Sequence, residues 1–126
     1  MKKNFAIIGN PIKHSLSPIL HNYWFKKYDI DADYSIIEAV DKELPELIKK
    51  IKQGNYSGIN VTLPFKQKII NLTDEIINDA ELTGSVNTIL LDNNKVIGEN
   101  TDVFGLQAAY LKEIENCMIK KTLVIG

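Results

Sequence analysis

The stretch NFAIIGNPIKHSLSPILHNYWFKKY, residues 4–28, decides the fold class of this chain because it joins a strand to a helix. Residues 4–8 are a short apolar run, which predicts a buried strand. Ser17 is a favoured N-cap and Pro18 a favoured first helical residue, so a helix is predicted from Ser17 to about Tyr28. A buried strand followed by a helix is the repeating unit of α/β folds.

The remainder of the chain continues this alternation. Further strands are predicted over 33–39, 57–63, 85–92, 95–100 and 121–126, and further helices over 41–53, 64–70, 74–82 and 102–116. Asp92-Asn93-Asn94 predicts a tight hairpin turn between two of these strands. The pattern predicts an α/β layered sandwich, with a mainly parallel mixed sheet flanked by helices.

Composition excludes several functional classes. The 126 residues suit one small domain, and a hydrophobic fraction of 44% is sufficient for a folded core. The 15 basic and 16 acidic residues balance, which argues against a nucleic-acid partner, and the apolar runs are too short for a membrane span. A single cysteine with two histidines gives no internal disulfide and no metal cluster, so a reduced, cytoplasmic protein is predicted.

Polar clusters follow three of the predicted strands. They are KHSLSP (13–18), NVTLPFK (60–66) and GENTD (98–102), and a fourth, GSVNT (84–88), opens a strand. Ligands of open α/β sheets bind where strands end and helices begin. Together the clusters predict one pocket for a small polyhydroxylated acid.

Ser15 and Ser17 are candidates for binding a carboxylate. Taken alone, Ser17 is better interpreted as a helix N-cap. A serine hydroxyl can accept from the helix backbone and still donate to a ligand, and Ser15 has no capping role that would explain it. Two hydroxyl groups beside a helix N-terminus therefore favour an anion site.

Lys66 and Asp102 are candidates for acid–base chemistry. Lys66 is either a solvated surface lysine or an acid–base group, and the predicted helix opened by Pro64 places it in a first turn, where a cation is disfavoured. Asp102 is either a helix cap or an ionised carboxylate that pairs with a lysine.

The remaining polar candidates have ordinary structural interpretations as well. Asn60, Thr62 and Asn87 could bind substrate hydroxyl groups or nearby backbone. His14 could titrate near neutral pH, but a turn residue is the favoured interpretation, and His21 within the first helix is predicted to pack.

Four ordered motifs carry a resemblance to a known family. IIGNPIKHSLSPILHN (7–22), GINVTLPFKQKI (58–69), GSVNTI (84–89) and GENTDVFG (98–105) resemble the amino-terminal, substrate-binding domain of shikimate dehydrogenase. The resemblance covers essentially the whole chain. The family reduces 3-dehydroshikimate to shikimate with NADPH, in aromatic amino-acid biosynthesis.

The resemblance implies a role for each motif residue. Lys66 and Asp102 would form the catalytic acid–base pair, with Lys66 donating the proton in the reductive direction. The residues implied in substrate binding are Ser15 and Ser17 for the carboxylate, Asn60 and Thr62 for hydroxyl groups, and Asn87, Lys66 and Asp102. Ser85 stands where the family usually has alanine, a small change that leaves the assignment in place.

The resemblance also implies a domain organisation. Residues 1–101 would be the substrate-binding catalytic domain, 102–120 a helix leading toward a second domain, and 121–126 the first strand of a truncated NADP-binding Rossmann domain. Gly126 would begin the Gly-rich loop that binds the cofactor. NADP is therefore expected in the full-length enzyme and not on this chain, which alone should be inactive. An exposed apolar face on the helix over 102–116 would allow a homodimer.

Three alternatives stay open at this point. The parent could be a paralogue that also accepts quinate. The chain could be a stand-alone, non-catalytic module that binds a shikimate-like acid, although its last strand would then lack a covering helix. A purely structural interaction domain would leave the polar clusters unexplained.

Overall fold

A computed structural model of the chain describes residues 2–111 and residues 121, 123 and 125. Its strands form one six-stranded sheet in the order β2-β1-β3-β5-β6-β4. The pairs β1–β2, β1–β3 and β4–β6 are parallel, and β3–β5 and β5–β6 are antiparallel. The predicted α/β fold with a mixed sheet is thereby confirmed. The strands are β1 (Lys3–Gly9), β2 (Ala32–Glu38), β3 (Gly58–Val61), β4 (Glu75–Ile76), β5 (Thr88–Asp92) and β6 (Lys95–Glu99).

Helices flank this sheet. The α-helices are α1 (Ser17–Lys27), α2 (Leu44–Lys52), α3 (Asp79–Thr83) and α4 (Asp102–Leu106), and α4 continues as a π-helical segment over Gln107–Leu111. Single 3₁₀ segments cover Asp41–Glu43 and Lys68–Leu72. Within the described part of the chain, every helix is too short or too polar to cross a membrane.

Two predictions fall partly outside the described residues. The helix predicted over 102–116 is described only as far as Leu111. In the strand predicted over 121–126, residues 122, 124 and 126 lie outside the described positions, and these include Gly126. The division into domains stays a prediction.

The larger core lies between the sheet and α2. Helix α2 buries Leu44, Leu47, Ile48 and Ile51, which recur at the spacing of one helical face. Ala6 and Ile8 of β1 and Ile59 and Val61 of β3 meet this face from the sheet. Because side chains alternate along a strand, the residues between them point to the opposite side.

The opposite face of the sheet is covered by α1. Ile7, Ile12 and Tyr34 form a smaller buried cluster there, with Phe5 and Phe25 packed against it. Strand β1 is thus buried on both faces, which explains its uninterrupted apolar sequence. The same alternation places Asn60, between buried Ile59 and Val61, on the α1 side.

Three local predictions were wrong. A turn, not a helix, follows Pro64, and only Lys68–Leu72 is 3₁₀-helical. Phe65 is 1% exposed, and its burial in the larger core directs the chain into this turn. The helix predicted over 74–82 is divided into the short strand β4 and helix α3, and β5 begins at Thr88.

The predicted hairpin was correct. Asp92 pairs with Lys95, and the two residues between them, Asn93 and Asn94, have φ values of 46° and 64°. Two successive positive φ angles define the turn that suits a two-residue hairpin, and asparagine tolerates them better than most residues.

We expect Asp74→Asn to destabilise the fold at neutral pH and not in acid. Asp74 accepts hydrogen bonds from Lys52 Nζ and from the Val96 backbone N–H, both at 2.8 Å, and these bonds lower the pKa of its carboxyl group. A lowered pKa in the folded state stabilises the protein above the ordinary value of 3.8, and this contribution is lost as pH falls through the lowered value.

Urea unfolding at pH 7 and at about pH 2 measures this effect. The difference between the urea midpoints of wild type and Asp74→Asn should be present at pH 7 and vanish in acid. Asp41→Asn is the matched control, since Asp41 also pairs with a lysine, Lys68, but its side chain is 62% exposed against 36% for Asp74, and the change should leave the urea midpoint nearly unaltered. An equal loss of stability at both pH values would contradict the prediction.

Candidate functional site

A polar cleft opens on the α1 side of the sheet, at the carboxyl ends of β1 and β3. Its volume is about 280 Å³. Neighbouring parallel strands end at the same edge of the sheet, so the segments that follow them converge there. The cleft is lined by Ile7, Ser17, His21, Asn60, Val61, Thr62, Lys66, Asn87 and Asp102.

Lys66 and Asp102 form an ion pair in this cleft. Lys66 Nζ lies 2.7 Å from Asp102 Oδ2, and the side chains are 27% and 56% exposed. The turn that carries Lys66 is held on both sides, because Phe65 is buried in the core and the Lys66 carbonyl accepts from the Val86 N–H at 2.8 Å. The sequence predicted that Lys66 lies in the first turn of a helix, but this segment is a turn. The position of Lys66 is therefore set by the buried Phe65 side chain and by the backbone hydrogen bond from Val86.

Asn87 connects the ion pair to the sheet. Its Nδ2 donates to Asp102 Oδ1 at 2.9 Å and to Thr101 Oγ1 at 3.0 Å. Its Oδ1 accepts from the Thr101 N–H and from Thr88 Oγ1, both at 3.0 Å. Asn87 is only 9% exposed, so this network fixes the orientation of its amide and of the Asp102 carboxylate.

Asn100 holds the backbone of Asp102. The Asp102 N–H donates to Asn100 Oδ1 at 2.9 Å, and Asn100 Nδ2 donates to the Ser85 carbonyl at 2.8 Å. Asn100 is 5% exposed. Within the described residues, every buried side-chain nitrogen and oxygen has a hydrogen-bond partner. The site is therefore preorganised, because hydrogen bonds fix the orientation of its buried polar side chains.

Hydrogen bonds at both ends of its amide hold Asn60 in the cleft. Its Oδ1 accepts from the Tyr34 hydroxyl at 2.7 Å, and its Nδ2 donates to Thr88 Oγ1 at 3.2 Å. Its Nδ2 also reaches the Asn87 carbonyl at 3.4 Å. Asn60 thus shares neighbours with Asn87, although the two belong to different motifs.

The two serines differ from their predicted arrangement. Leu16 occupies the N-cap position of α1, and Ser17 is the first helical residue, so the predicted N-cap at Ser17 was wrong. Ser15 Oγ accepts from the Ser17 backbone N–H at 3.3 Å, which gives Ser15 the helix-start role it was predicted to lack. The Ser17 hydroxyl is consequently not needed as a cap, and Ser17 lines the cleft.

Ser15 lines an adjoining cleft that shares Ile7 and Thr62 with the first. His14 lies there too, in the loop between β1 and α1. The structure therefore brings six of the seven predicted substrate-binding residues into one cleft and places the seventh, Ser15, beside it.

Thr62 approaches the backbone at Gly9 closely. A Cβ added at Gly9 would lie 2.7 Å from Thr62 Cγ2 and 3.1 Å from the Leu63 carbonyl oxygen. Only glycine allows β1 and the segment after β3 to come this close. The Gly9-Asn10-Pro11 sequence after β1 thus helps to position Thr62 in the cleft.

His21 packs within the site, as predicted. Its ring stacks on the Tyr34 ring with centroids 4.3 Å apart and planes 4° from parallel. Partial burial lowers the pKa of His21, which favours the neutral ring.

Sequence reasoning missed the supporting residues. Asn100 and Thr101 lie in the GENTD cluster, so their position next to Asp102 offered a signal. The sequence contains no signal that Tyr34 supports the site, since Tyr34 lies in a strand with other apolar residues. Among the described residues, no group of three or more metal-binding side chains comes together.

Comparisons with known sequences identify a family model that matches this chain. The model for the shikimate dehydrogenase substrate binding domain matches residues 7–89. Shikimate dehydrogenase (NADP(+)) of Pelagibacter ubique is 48% identical over 126 residues, which cover all of this chain and 48% of that protein. The chain spans about half the length of the curated relatives it matches.

Solved structures agree with these matches. A crystal structure of a shikimate dehydrogenase in complex with NADP+ has a TM-score of 0.84 and 40% identity, over 90% of this chain and 39% of that one. Shikimate 5-dehydrogenase of Listeria monocytogenes, in complex with shikimate and NAD, has a TM-score of 0.80 and 35% identity, over 91% of this chain and 38% of that one.

Proposed function

This chain belongs to the shikimate dehydrogenase family as a substrate-binding domain, and on that basis we propose that it supplies the substrate-binding half of an NADP-dependent shikimate dehydrogenase. The protein would reduce 3-dehydroshikimate to shikimate and catalyse the reverse oxidation. The observation that carries this proposal is the Lys66–Asp102 pair, at 2.7 Å, in a cleft lined by amide and hydroxyl groups.

The substrate carboxylate would bind at the start of α1. Ser17 lies at the first helical position, where backbone N–H groups and the helix dipole favour an anion. Ser15, two residues earlier, would add a second hydroxyl from the adjoining cleft. The ring hydroxyl groups would be bound by Asn60, Thr62 and Asn87.

Lys66 would transfer the proton. NADP, when bound to the full-length protein, would supply the redox chemistry. In the reductive direction Lys66 Nζ would donate its proton to the carbonyl oxygen of the substrate. Asp102, held by Asn87 and by its own backbone bond to Asn100, would orient Lys66 and bind a substrate hydroxyl.

The described residues do not fit a dinucleotide. Such a site needs a Gly-rich turn that admits a pyrophosphate at a helix N-terminus, and the sequence contains no G-x-G motif. NADP would therefore be held outside residues 2–111. Residues 1–126 tested alone should bind shikimate without turnover, and NADPH-dependent reduction by that polypeptide would contradict this expectation.

The test is NADP+-linked oxidation of shikimate by the protein expressed from its complete reading frame, with quinate as comparator. We expect activity on shikimate and much weaker activity on quinate. Comparable rates on the two acids would identify the quinate-accepting paralogue. Activity on neither, with shikimate still binding, would identify a non-catalytic binding protein and overturn the proposal.

Two lesser expectations stay predictions. Phe104, Leu106 and Tyr110 of the segment around α4 are each more than half exposed, which provides an apolar surface for the expected homodimer. Cytoplasmic localisation also stays a prediction.

A further inference from the structure

Tyr34 is a buried tyrosine whose hydroxyl reaches Asn60, one of the residues that line the cleft. Its side chain belongs to the core cluster under α1 and is 4% exposed. The hydroxyl donates to Asn60 Oδ1 at 2.7 Å, and Asn60 lines the cleft. Tyr34 therefore connects the buried cluster under α1 with Asn60 of β3 in the cleft.

The bond from Tyr34 decides how the Asn60 amide is oriented. Asn60 Nδ2 is directed toward the Asn87 carbonyl and Thr88 Oγ1, at 3.4 and 3.2 Å. With Tyr34 donating to Oδ1, the amide oxygen is fixed on the α1 side and retains one free lone pair. A ligand hydroxyl at this position would meet an acceptor in a defined place.

Helix α1 holds Tyr34 in turn. Asn22 pairs with the Tyr34 backbone through two hydrogen bonds of 2.9 Å, one donated by its Nδ2 and one accepted by its Oδ1. The His21 ring stacks on the Tyr34 ring. Burial raises the pKa of Tyr34 to about 12, so the phenol stays protonated and able to donate throughout the neutral range.

We propose that Tyr34 is a positioning residue that sets substrate affinity, by fixing the Asn60 amide in the orientation that receives a substrate hydroxyl group. The choice of substrate rests on the proposed function. The described hydrogen bonds of the Tyr34 hydroxyl do not involve Lys66 or Asp102, so Tyr34 affects binding rather than proton transfer.

The test is Tyr34→Phe in the protein from the complete reading frame. The variant keeps the ring and its stacking but loses the hydroxyl. One hydrogen bond in a preorganised site corresponds to about a three- to tenfold rise in KM for shikimate. The kcat should change less than about twofold, and KM for NADP+ should not change. Partial unfolding would instead lower kcat and leave KM unchanged.

A double-mutant cycle with Asn60→Ala separates positioning from general packing. If Tyr34 acts through Asn60, most of the rise in KM should disappear in the Asn60→Ala background. Tyr56→Phe is the matched control, because Tyr56 also packs against the core and lines a different cleft, and it should leave KM unchanged.

The outcomes distinguish this inference from the proposed function. A wild-type protein inactive on shikimate would overturn both. An active wild type whose KM is unchanged by Tyr34→Phe would overturn the inference alone. A rise in KM that persists undiminished in the Asn60→Ala background would also overturn it.

Discussion

Replacing Lys66 with methionine lowers kcat for shikimate oxidation by about 100- to 10,000-fold, the range by which a positioned acid–base group accelerates a reaction. Methionine preserves much of the length and apolar stem of the side chain but cannot carry a proton. Fold stability should change little, because Lys66 is held by backbone anchors and its ion pair is partly exposed. Steady-state kinetics and urea unfolding measure the two effects.

Two further variants identify the cause of the loss. Lys66→Arg keeps the positive charge, but an arginine cannot release a proton near neutral pH. The Lys66→Arg variant should therefore be almost as inactive as the Lys66→Met variant. Substantial activity in the arginine variant would show that charge, not proton transfer, is required. Lys68→Met is the matched control, because Lys68 also pairs with an aspartate, Asp41, away from the cleft. A Lys66→Met variant within threefold of wild type would exclude Lys66 from catalysis.

Asp102→Asn should lower kcat by roughly 100- to 1,000-fold while leaving the protein folded. The substitution is nearly isosteric, and an asparagine oxygen can still accept from Asn87 Nδ2. Its amide nitrogen would then face Lys66 Nζ, so a donor would meet a donor and the ammonium would lose its orienting charge.

Asp102→Asn should change the free energy of unfolding only slightly. A large loss of kcat without a loss of stability would separate a catalytic role from a structural one. Exposed ion pairs contribute only about 0–1 kcal/mol, and Asp102 is 56% exposed. The free energy of unfolding should therefore stay within that range of wild type. Asp41→Asn is the control for kcat and should leave it unchanged. A large loss of stability with a proportional loss of activity would indicate that Asp102 is structural.

The sequence by itself determined the alternation of strands and helices, and it named the candidate residues of the site. Apolar runs such as 4–8 and the helical spacing of Leu44, Leu47, Ile48 and Ile51 report burial directly, because each reflects the period of its element. The motif residues Lys66 and Asp102 could be named because their motifs retain the family pattern.

Tertiary packing decided how those residues are held. The turn at Lys66 could not be predicted, since Pro64 favours a helix start locally and only the burial of Phe65 in the core imposes a turn. The helix predicted over 74–82 failed for a similar reason, because β4 forms only by pairing with β6, a partner distant in sequence.

The role of Tyr34 in the site could not be predicted from local sequence either. Tyr34 of β2 is in register with Phe5 of β1, and Asn60 of β3 is in register with Ile7 of β1. The Tyr34 hydroxyl therefore reaches across β1 to a residue two positions further along the sheet. Such a contact depends on strand order, register and side-chain direction together. Local sequence encodes which residues are apolar or polar, whereas only the assembled sheet determines which of them meet.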